Sequence, residues 1–255
     1  MLLLVLFFAP KKRTIPEAIA YRHVRYIKRL LINFAVTKLR WNMTDFEKLK
    51  EICRVACHER GACTAGYEAL MRADSIGAIL AVWRANWEDI YSSKFADVMV
   101  ERIGEVYRTA KAEMNAAGFW VNEDREQGMV IITNAPRPVT LGGTAKGYIF
   151  AKSEVRATDN AQVYCRTDGS EIVLTGHATG NISGESTVHV RQWASARCVS
   201  CICYTSDAAE VIATGCDVVS DGHRHITAYG ATKVMGQSHR GIELNQDSTF
   251  LQLTE

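Results

Sequence analysis

The second half of the chain repeats one short pattern: a polar residue, an aliphatic residue, a variable residue, then a small or apolar residue. Seven segments carry it: Glu154-Val155-Arg156-Ala157, Gln162-Val163-Tyr164-Cys165, Glu171-Ile172-Val173-Leu174, Thr187-Val188-His189-Val190, Glu210-Val211-Ile212-Ala213, His225-Ile226-Thr227-Ala228 and Lys233-Val234-Met235-Gly236. The last anchors, Ile226, Val234, Ile242 and Phe250, are eight residues apart. A fixed short period of strands and turns is typical of a chain that coils and stacks on itself. We therefore expect a β-solenoid over residues 139–255.

Turn residues separate these segments, and no stretch with helical periodicity is found after residue 139. Strands of this length could also form a β-sandwich, whose turns recur every ~8–12 residues. The near-constant repeat favours the solenoid. At ~16–24 residues per coil and ~4.8 Å between stacked strands, the repeat region would make about five to seven coils, a rod roughly 25–35 Å long.

The preceding region, residues 43–120, has helical periodicity. Thr44-Asp45-Phe46-Glu47 is a capping box that begins a helix, and Gly118 is suited to end the last of three or four helices. Residues 121–138 are predicted to be a connecting strand and loop. The predicted fold class is α+β, with an N-terminal helical bundle that caps the C-terminal solenoid, because an open solenoid end would pair with other chains.

The charge of the chain is unevenly distributed. Residues 1–42 contain nine Lys or Arg and one acidic residue, a net charge of +8, so the total of +2 leaves −6 for residues 43–255. A mildly acidic body argues against a nucleic-acid-binding protein. The apolar residues 1–9 fit neither a secretion signal nor a helix of ~20 apolar residues that spans a membrane. Three interpretations of the leader, residues 1–42, stay open: translation that begins at Met43, a basic arm, or a helix on an anionic membrane surface.

Two neighbouring segments resemble known repeats. Lys152-Ser153-Glu154-Val155-Arg156-Ala157 and Asp159-Asn160-Ala161-Gln162-Val163-Tyr164 are similar to the "N-A-x-V" repeats of β-solenoids in bacterial and phage-encoded proteins. Residues 43–255 as a whole resemble uncharacterised proteins of gut bacteria and their mobile elements, which combine a helical N-terminal region with such repeats. The resemblance implies a fold and no activity.

The eight cysteines are predicted to be thiols, because the chain lacks a convincing secretion signal. The densest cluster consists of Cys198, Cys201 and Cys203, with Cys216, His223 and His225 after it. Thiolates and imidazoles at short spacing suit zinc, but cysteine also packs well in a narrow core. We predict core packing and no cofactor, with zinc or a reactive thiol as alternatives. Cys53 and Cys57, near His58 and Cys63, are likewise assigned to the buried side of a helix.

Five histidines in the repeat region raise an enzymatic alternative: His177, His189, His223, His225 and His239. Left-handed β-helix acyltransferases and zinc hydratases resemble the expected architecture and use histidines between coils, for which His177, His223 and His225 are the candidates. The six-residue repeat of those acyltransferases is absent, and the chain has no phosphate-binding loop or nucleophile elbow. We therefore predict no catalytic residues.

Trp83, Trp87 and Tyr91 form an aromatic stripe at i, i+4 and i+8 of a predicted helix. Aromatic residues and arginine dominate the hot spots of protein interfaces, so these three are the candidate binding residues for a protein partner. The alternative is that they pack the helices together or dock them on the first coil.

The predicted function is a non-enzymatic protein-interaction or structural scaffold in the cytoplasm. Its expected partner is a protein of unknown identity, with no nucleic acid and with no membrane contact by residues 43–255. The C-terminal end, residues 249–255, has no predicted cap and could be the interface of a homo-oligomer.

Overall fold

Two parallel β-sheets face each other in the C-terminal part of this computed structural model, which describes residues 43–60, 64–92, 95–221 and 225–253. The first sheet contains, in spatial order, β1 (Phe119–Val121), β2 (Met129–Ile132), β4 (Lys146–Ile149), β6 (Gln162–Cys165), β8 (Thr179–Ser183), β10 (Ser195–Val199), β12 (Glu210–Thr214), β14 (His225–Tyr229) and β16 (Ile242–Leu244). The second sheet contains β3 (Val139–Leu141), β5 (Glu154–Ala157), β7 (Glu171–Leu174), β9 (Thr187–Val190), β11 (Ile202–Thr205), β13 (Asp217–Ser220), β15 (Lys233–Gly236) and β17 (Thr249–Gln252).

The chain alternates between the sheets, so one strand from each makes a coil. The predicted α+β fold with a β-solenoid is confirmed. The solenoid has eight coils between β2 and β17, and β1 adds one more strand at the N-terminal end. Val139 pairs with Val155 sixteen residues later, and Cys203 pairs with Val218 fifteen residues later. The expected five to seven coils were wrong, because the coils have the shortest expected length and begin at Met129, before residue 139.

Among the described residues, five helices precede the coils: α1 (Asp45–Arg60), α2 (Thr64–Arg72), α3 (Ile76–Ala85), α4 (Trp87–Ser92) and α5 (Phe95–Ala116). The capping box is confirmed, since the backbone N–H of Glu47 donates to Thr44 Oγ1 at 3.2 Å and that of Thr44 donates to Glu47 Oε2 at 2.7 Å. The described residues from Leu49 onward form one compact unit, which residues 43–48 precede. Within the described chain, no helix is both long enough and apolar enough to cross a membrane. The predictions made for residues 1–42, Cys63 and His223 lie outside the described residues.

The interior of the solenoid is built from columns of residues that the strand register stacks on one another. Where the chain passes from the second sheet to the first, a small side chain turns inward in five successive coils: Ala145, Ala161, Ala178, Ala194 and Ala209, all fully buried. Ala161 is the alanine of the Asn160-Ala161-Gln162-Val163 segment. A larger side chain at this corner would hold the two sheets apart, so the corner sets how closely they pack.

A second pattern relates the two sheets across this corner, between residues six apart in sequence. In six of the seven passages from the second sheet to the first, a large residue of one sheet is matched by a small residue of the other; the exception is Thr205/Val211. The pairs are Leu141/Gly147, Ala157/Val163, Leu174/Gly180, Val190/Ala196, Ser220/Ile226 and Gly236/Ile242. A Cβ at Gly147 would lie 2.4 Å from Leu141 Cδ1, and one at Gly180 would lie 2.7 Å from Leu174 Cδ1. The glycines are therefore required by packing.

This complementarity predicts a compensated double substitution. Leu141→Ala alone should cost about 2–5 kcal/mol of unfolding free energy, and Gly147→Val alone should overpack the same site. Together they recreate the neighbouring Ala157/Val163 pair. The double variant should therefore lose about 0.5–3 kcal/mol less unfolding free energy than the two single variants lose in sum. Urea unfolding of the four proteins measures this coupling.

The matched control combines Leu141→Ala with Gly180→Val, two sites that belong to different pairs, and should be additive. Equal coupling in the two double variants would contradict the pairing.

Candidate interaction surface

The aromatic stripe lies between the helices and the first coils. Trp83 is fully buried and Trp87 is only 4% exposed, while Tyr91 is half-buried. The Trp83 indole N–H donates to the Cys53 thiol at 3.3 Å, and its ring lies edge-on to Phe119 of β1, with 6.3 Å between ring centroids. The stripe therefore connects α1, α3 and α4 to the N-terminal end of the solenoid.

The C-terminal two residues of the stripe, Trp87 and Tyr91, pack on the outer face of the first sheet. Trp87 and Tyr91 contact Tyr148 of β4 edge-on, at centroid distances of 5.1 and 5.2 Å, and Tyr91 also contacts Tyr164 of β6 at 6.1 Å. Tyr148 and Tyr164, which are partners in the sheet register, are stacked at 4.8 Å. The structure thus favours the docking alternative for these residues, and it leaves Trp83 and Trp87 without an exposed surface for a partner.

The cysteines of the predicted cluster are buried, and two of them occupy a second corner column. Where the chain passes from the first sheet to the second, a small hydrogen-bond donor turns inward in six successive coils: Ser153, Ser170, Ser186, Cys201, Cys216 and Thr232. Ser186 Oγ donates to the Thr167 carbonyl at 2.7 Å, and Cys216 Sγ donates to the Cys198 carbonyl at 3.4 Å. At these corners, cysteine does what serine and threonine do in other coils.

The remaining two thiols of the cluster lie on the strands and point into the core. Cys203 is stacked between Val188 and Val218. Hydrogen bonds to the thiols of Cys198 and Cys216, together with burial, raise the pKa of Cys203, which keeps it a protonated thiol. In the part of the chain that the structure describes, no three His, Cys, Asp or Glu side chains form a group that could hold a metal ion.

The described histidines are spread over the solenoid. His177 lies exposed in the turn between β7 and β8, and His225 begins β14 with its side chain exposed. His239 contacts the Phe250 ring, with 3.6 Å between centroids. His189 of β9 stacks on Tyr204 of β11 at 4.9 Å.

The outer face of the second sheet carries an apolar column along six consecutive strands. Its members are Val173, His189, Tyr204, Val219, Met235 and Leu251, each paired with the next in the strand register. Tyr204 is 41% exposed, Leu251 is exposed, and the others are half-buried. Burial and the neighbouring Arg191 lower the pKa of His189, so its imidazole is neutral near pH 7 and does not interrupt the column. We call these six residues the outer column.

Polar groups and one large aromatic residue border the outer column. A shallow depression of about 530 Å³ lies beside it and is lined by His189 and Tyr204 together with Arg191, Asp207 and Asp221. The turn after β9 presents Trp193, which is 68% exposed. Gln192 of this turn donates its backbone N–H to Asp207 Oδ2 at 3.1 Å, which holds the turn against the one after β11.

None of these residues was among the candidate binding residues from the sequence, where only His189 was named, as one of five histidines in the repeat region. The outer column occupies the variable third position of the repeat, where side chains point outward, as in Thr187-Val188-His189-Val190. This position alternates between the two sheets along the chain, so the pattern hides the column until the strands are assigned to sheets. An apolar stripe that is rimmed by charges is typical of an interaction surface.

The buried position of the stripe predicts a large stability cost for Trp87→Ala, about 3–5 kcal/mol, because the substitution leaves a cavity among aromatic rings. The control is Trp193→Ala, the same change at an exposed site, which should stay within about 0.5 kcal/mol. Urea unfolding of both variants checks the prediction. An exposed binding stripe would instead leave Trp87→Ala close to wild type.

The corner column predicts that Cys216→Ser is tolerated within about 1 kcal/mol, because serine donates the same hydrogen bond. Cys203→Ser should cost about 1–3 kcal/mol, because it replaces a weakly polar thiol, stacked between two valines, with a hydroxyl that is costlier to bury. Unfolding free energies together with the zinc content of the purified protein test this. Bound zinc that is lost in both variants would show a metal site instead.

The comparisons with known proteins identify no relative: no protein-family model, no curated protein and no solved structure matches this chain. The resemblance to gut-bacterial and mobile-element proteins stays a prediction.

Proposed function

We propose that this protein is a non-enzymatic interaction scaffold and that its protein partner binds the outer column of the second sheet. The observation that carries the proposal is the unbroken apolar column from Val173 to Leu251, which runs along six strands of a rigid sheet. At ~4.8 Å per strand, the column is roughly 24 Å long, a length that matches an extended segment or a helix of a partner.

The two faces of the solenoid support this choice. The first sheet is covered near its N-terminal end by α4, through Trp87 and Tyr91. Beyond that region its central outward column mixes polar and apolar residues: Asn181, Arg197, Ile212 and Thr227. On the second sheet, by contrast, no charged residue interrupts the column between Val173 and Leu251. Tyr204 of this column and Trp193 in the turn after β9 are of the kinds that dominate interface hot spots.

A photo-crosslinking residue placed at position 204 tests the proposal in cells of the native host. We expect it to form a covalent adduct with one defined protein. The matched control is position 212, because Ile212 is 39% exposed and lies on the outer face of the opposite sheet. Adducts of equal yield from both positions, or none from position 204, would contradict the proposal.

Once the partner is purified, its affinity is measured for variants that keep the fold. Tyr204→Lys and Trp193→Ala should each weaken binding by at least about tenfold, the loss that is typical of a hot-spot residue. Ile212→Lys should leave the affinity unchanged.

Two further parts of the prediction belong to this proposal. We place the protein in the cytoplasm, which the seven free cysteines among the described residues support, since such thiols persist in a reducing compartment. A homo-oligomer through the C-terminal strands, where Leu253 is exposed beside β17, stays a prediction. The alternative of a β-helix acyltransferase or zinc hydratase also stays a prediction. Its described candidates, His177 and His225, are exposed imidazoles.

A further inference from the structure

A cavity of about 720 Å³ lies where the helices meet the first strands of the first sheet. The end of α3 and the start of α4 form one wall, with Arg84, Trp87 and Glu88. The beginnings of β2 and β4 and the turns before them form the other, with Gly128, Thr144 and Lys146. Its volume is within the ~300–1,000 Å³ that is usual for small-molecule sites. It is distant in sequence from the outer column and independent of the proposed function.

Three aromatic rings line this junction cavity: Trp87, Trp120 and Tyr148. Trp87 and Tyr148 are held edge-on at 5.1 Å by the packing of α4 on the sheet. Trp120 lies directly over the backbone of Gly128, where a Cβ would be 2.0 Å from the indole ring. The rings are therefore fixed before any ligand arrives, which lowers the entropy cost of binding an apolar or aromatic group.

The cavity is also lined by side chains of both charges, and these do not form ion pairs with one another. Arg84 and Lys146 provide positive charge, and Glu88 provides negative charge. Among the described residues, none of these three takes part in an ion pair. The Arg84 guanidinium donates to the Ala117 carbonyl, which holds it at the cavity and leaves other N–H groups for a ligand.

A buried polar group at the same site is unsatisfied. The indole Nε1–H of Trp87 has no hydrogen-bond partner among the described residues, although the side chain is almost completely buried. Such a donor costs about 1–3 kcal/mol when it is unpaired, and buried groups of this kind are normally satisfied by water or by a bound molecule.

We propose that the junction cavity binds a zwitterionic molecule with an aromatic body, the chemical class of the aromatic amino acids, either free or as a short peptide. The ring packs against Trp87 and Trp120, the carboxylate is held by Arg84 and Lys146, and the ammonium group faces Glu88. The observations that carry this assignment are the fixed aromatic rings together with charges of both signs that remain available in the cavity.

Isothermal titration of the full chain with L-tryptophan tests the proposal. We expect saturable binding, weakened at least about tenfold for N-acetyl-L-tryptophan, which lacks the ammonium group, and for L-tryptophan amide, which lacks the carboxylate. Binding of glycyl-L-tryptophan more tightly than L-tryptophan would identify a peptide as the source of the ligand. No saturation up to about 10 mM with either compound, or equal binding of indole, would overturn the proposal.

Substitutions of exposed residues locate the site without unfolding the protein. Lys146→Gln and Glu88→Gln should each weaken L-tryptophan binding at least about tenfold. Lys233→Gln is the matched control, because Lys233 is also an exposed lysine that begins a strand, β15. Unchanged affinity in both Lys146→Gln and Glu88→Gln would place any binding elsewhere and overturn the assignment.

Discussion

Backbone hydrogen bonds between successive coils hold each residue of the solenoid over its counterpart 15 to 17 residues earlier. Every other feature of the repeat region depends on this register. Because the environment recurs in each coil, the same kind of side chain recurs with it. Alanine fills one corner, and a small donor such as Ser186 or Cys216 fills the other, where it bonds to the carbonyl of an earlier turn. The cysteine cluster is a result of this register, since two of its thiols occupy serine positions.

The same register separates the two outer faces into different roles. Stacked Tyr148 and Tyr164 give the first sheet an aromatic patch at its N-terminal end, and α4 covers that patch with Trp87 and Tyr91. The helical region therefore covers a side of the first coils as well as continuing into β1. The second sheet keeps its apolar column open, and the junction cavity forms where the helices and the first sheet diverge.

Much of the fold could be predicted from local signals. The Thr44 capping box begins α1, and alternating aliphatic residues such as Ile172 and Val188 predict short strands with one buried side. The candidate site could not be predicted in this way. The period of a helix shows that Trp83 and Trp87 share a face, but what lies opposite that face is set by the sheet register. The outer column was hidden for a related reason, since the coil length varies by a residue or two and shifts its members out of a strict period.

The pairing of a large with a small residue, such as Leu141 with Gly147 or Ala157 with Val163, has a consequence for how this protein could change in length. The two members of each pair are only six residues apart and lie on the same passage round one corner. A genetic duplication or deletion of one complete coil would carry both members together and leave no unmatched void or overlap. Selection can therefore lengthen or shorten the solenoid by whole coils. A substitution at one member of a pair, by contrast, requires a matching change at the other.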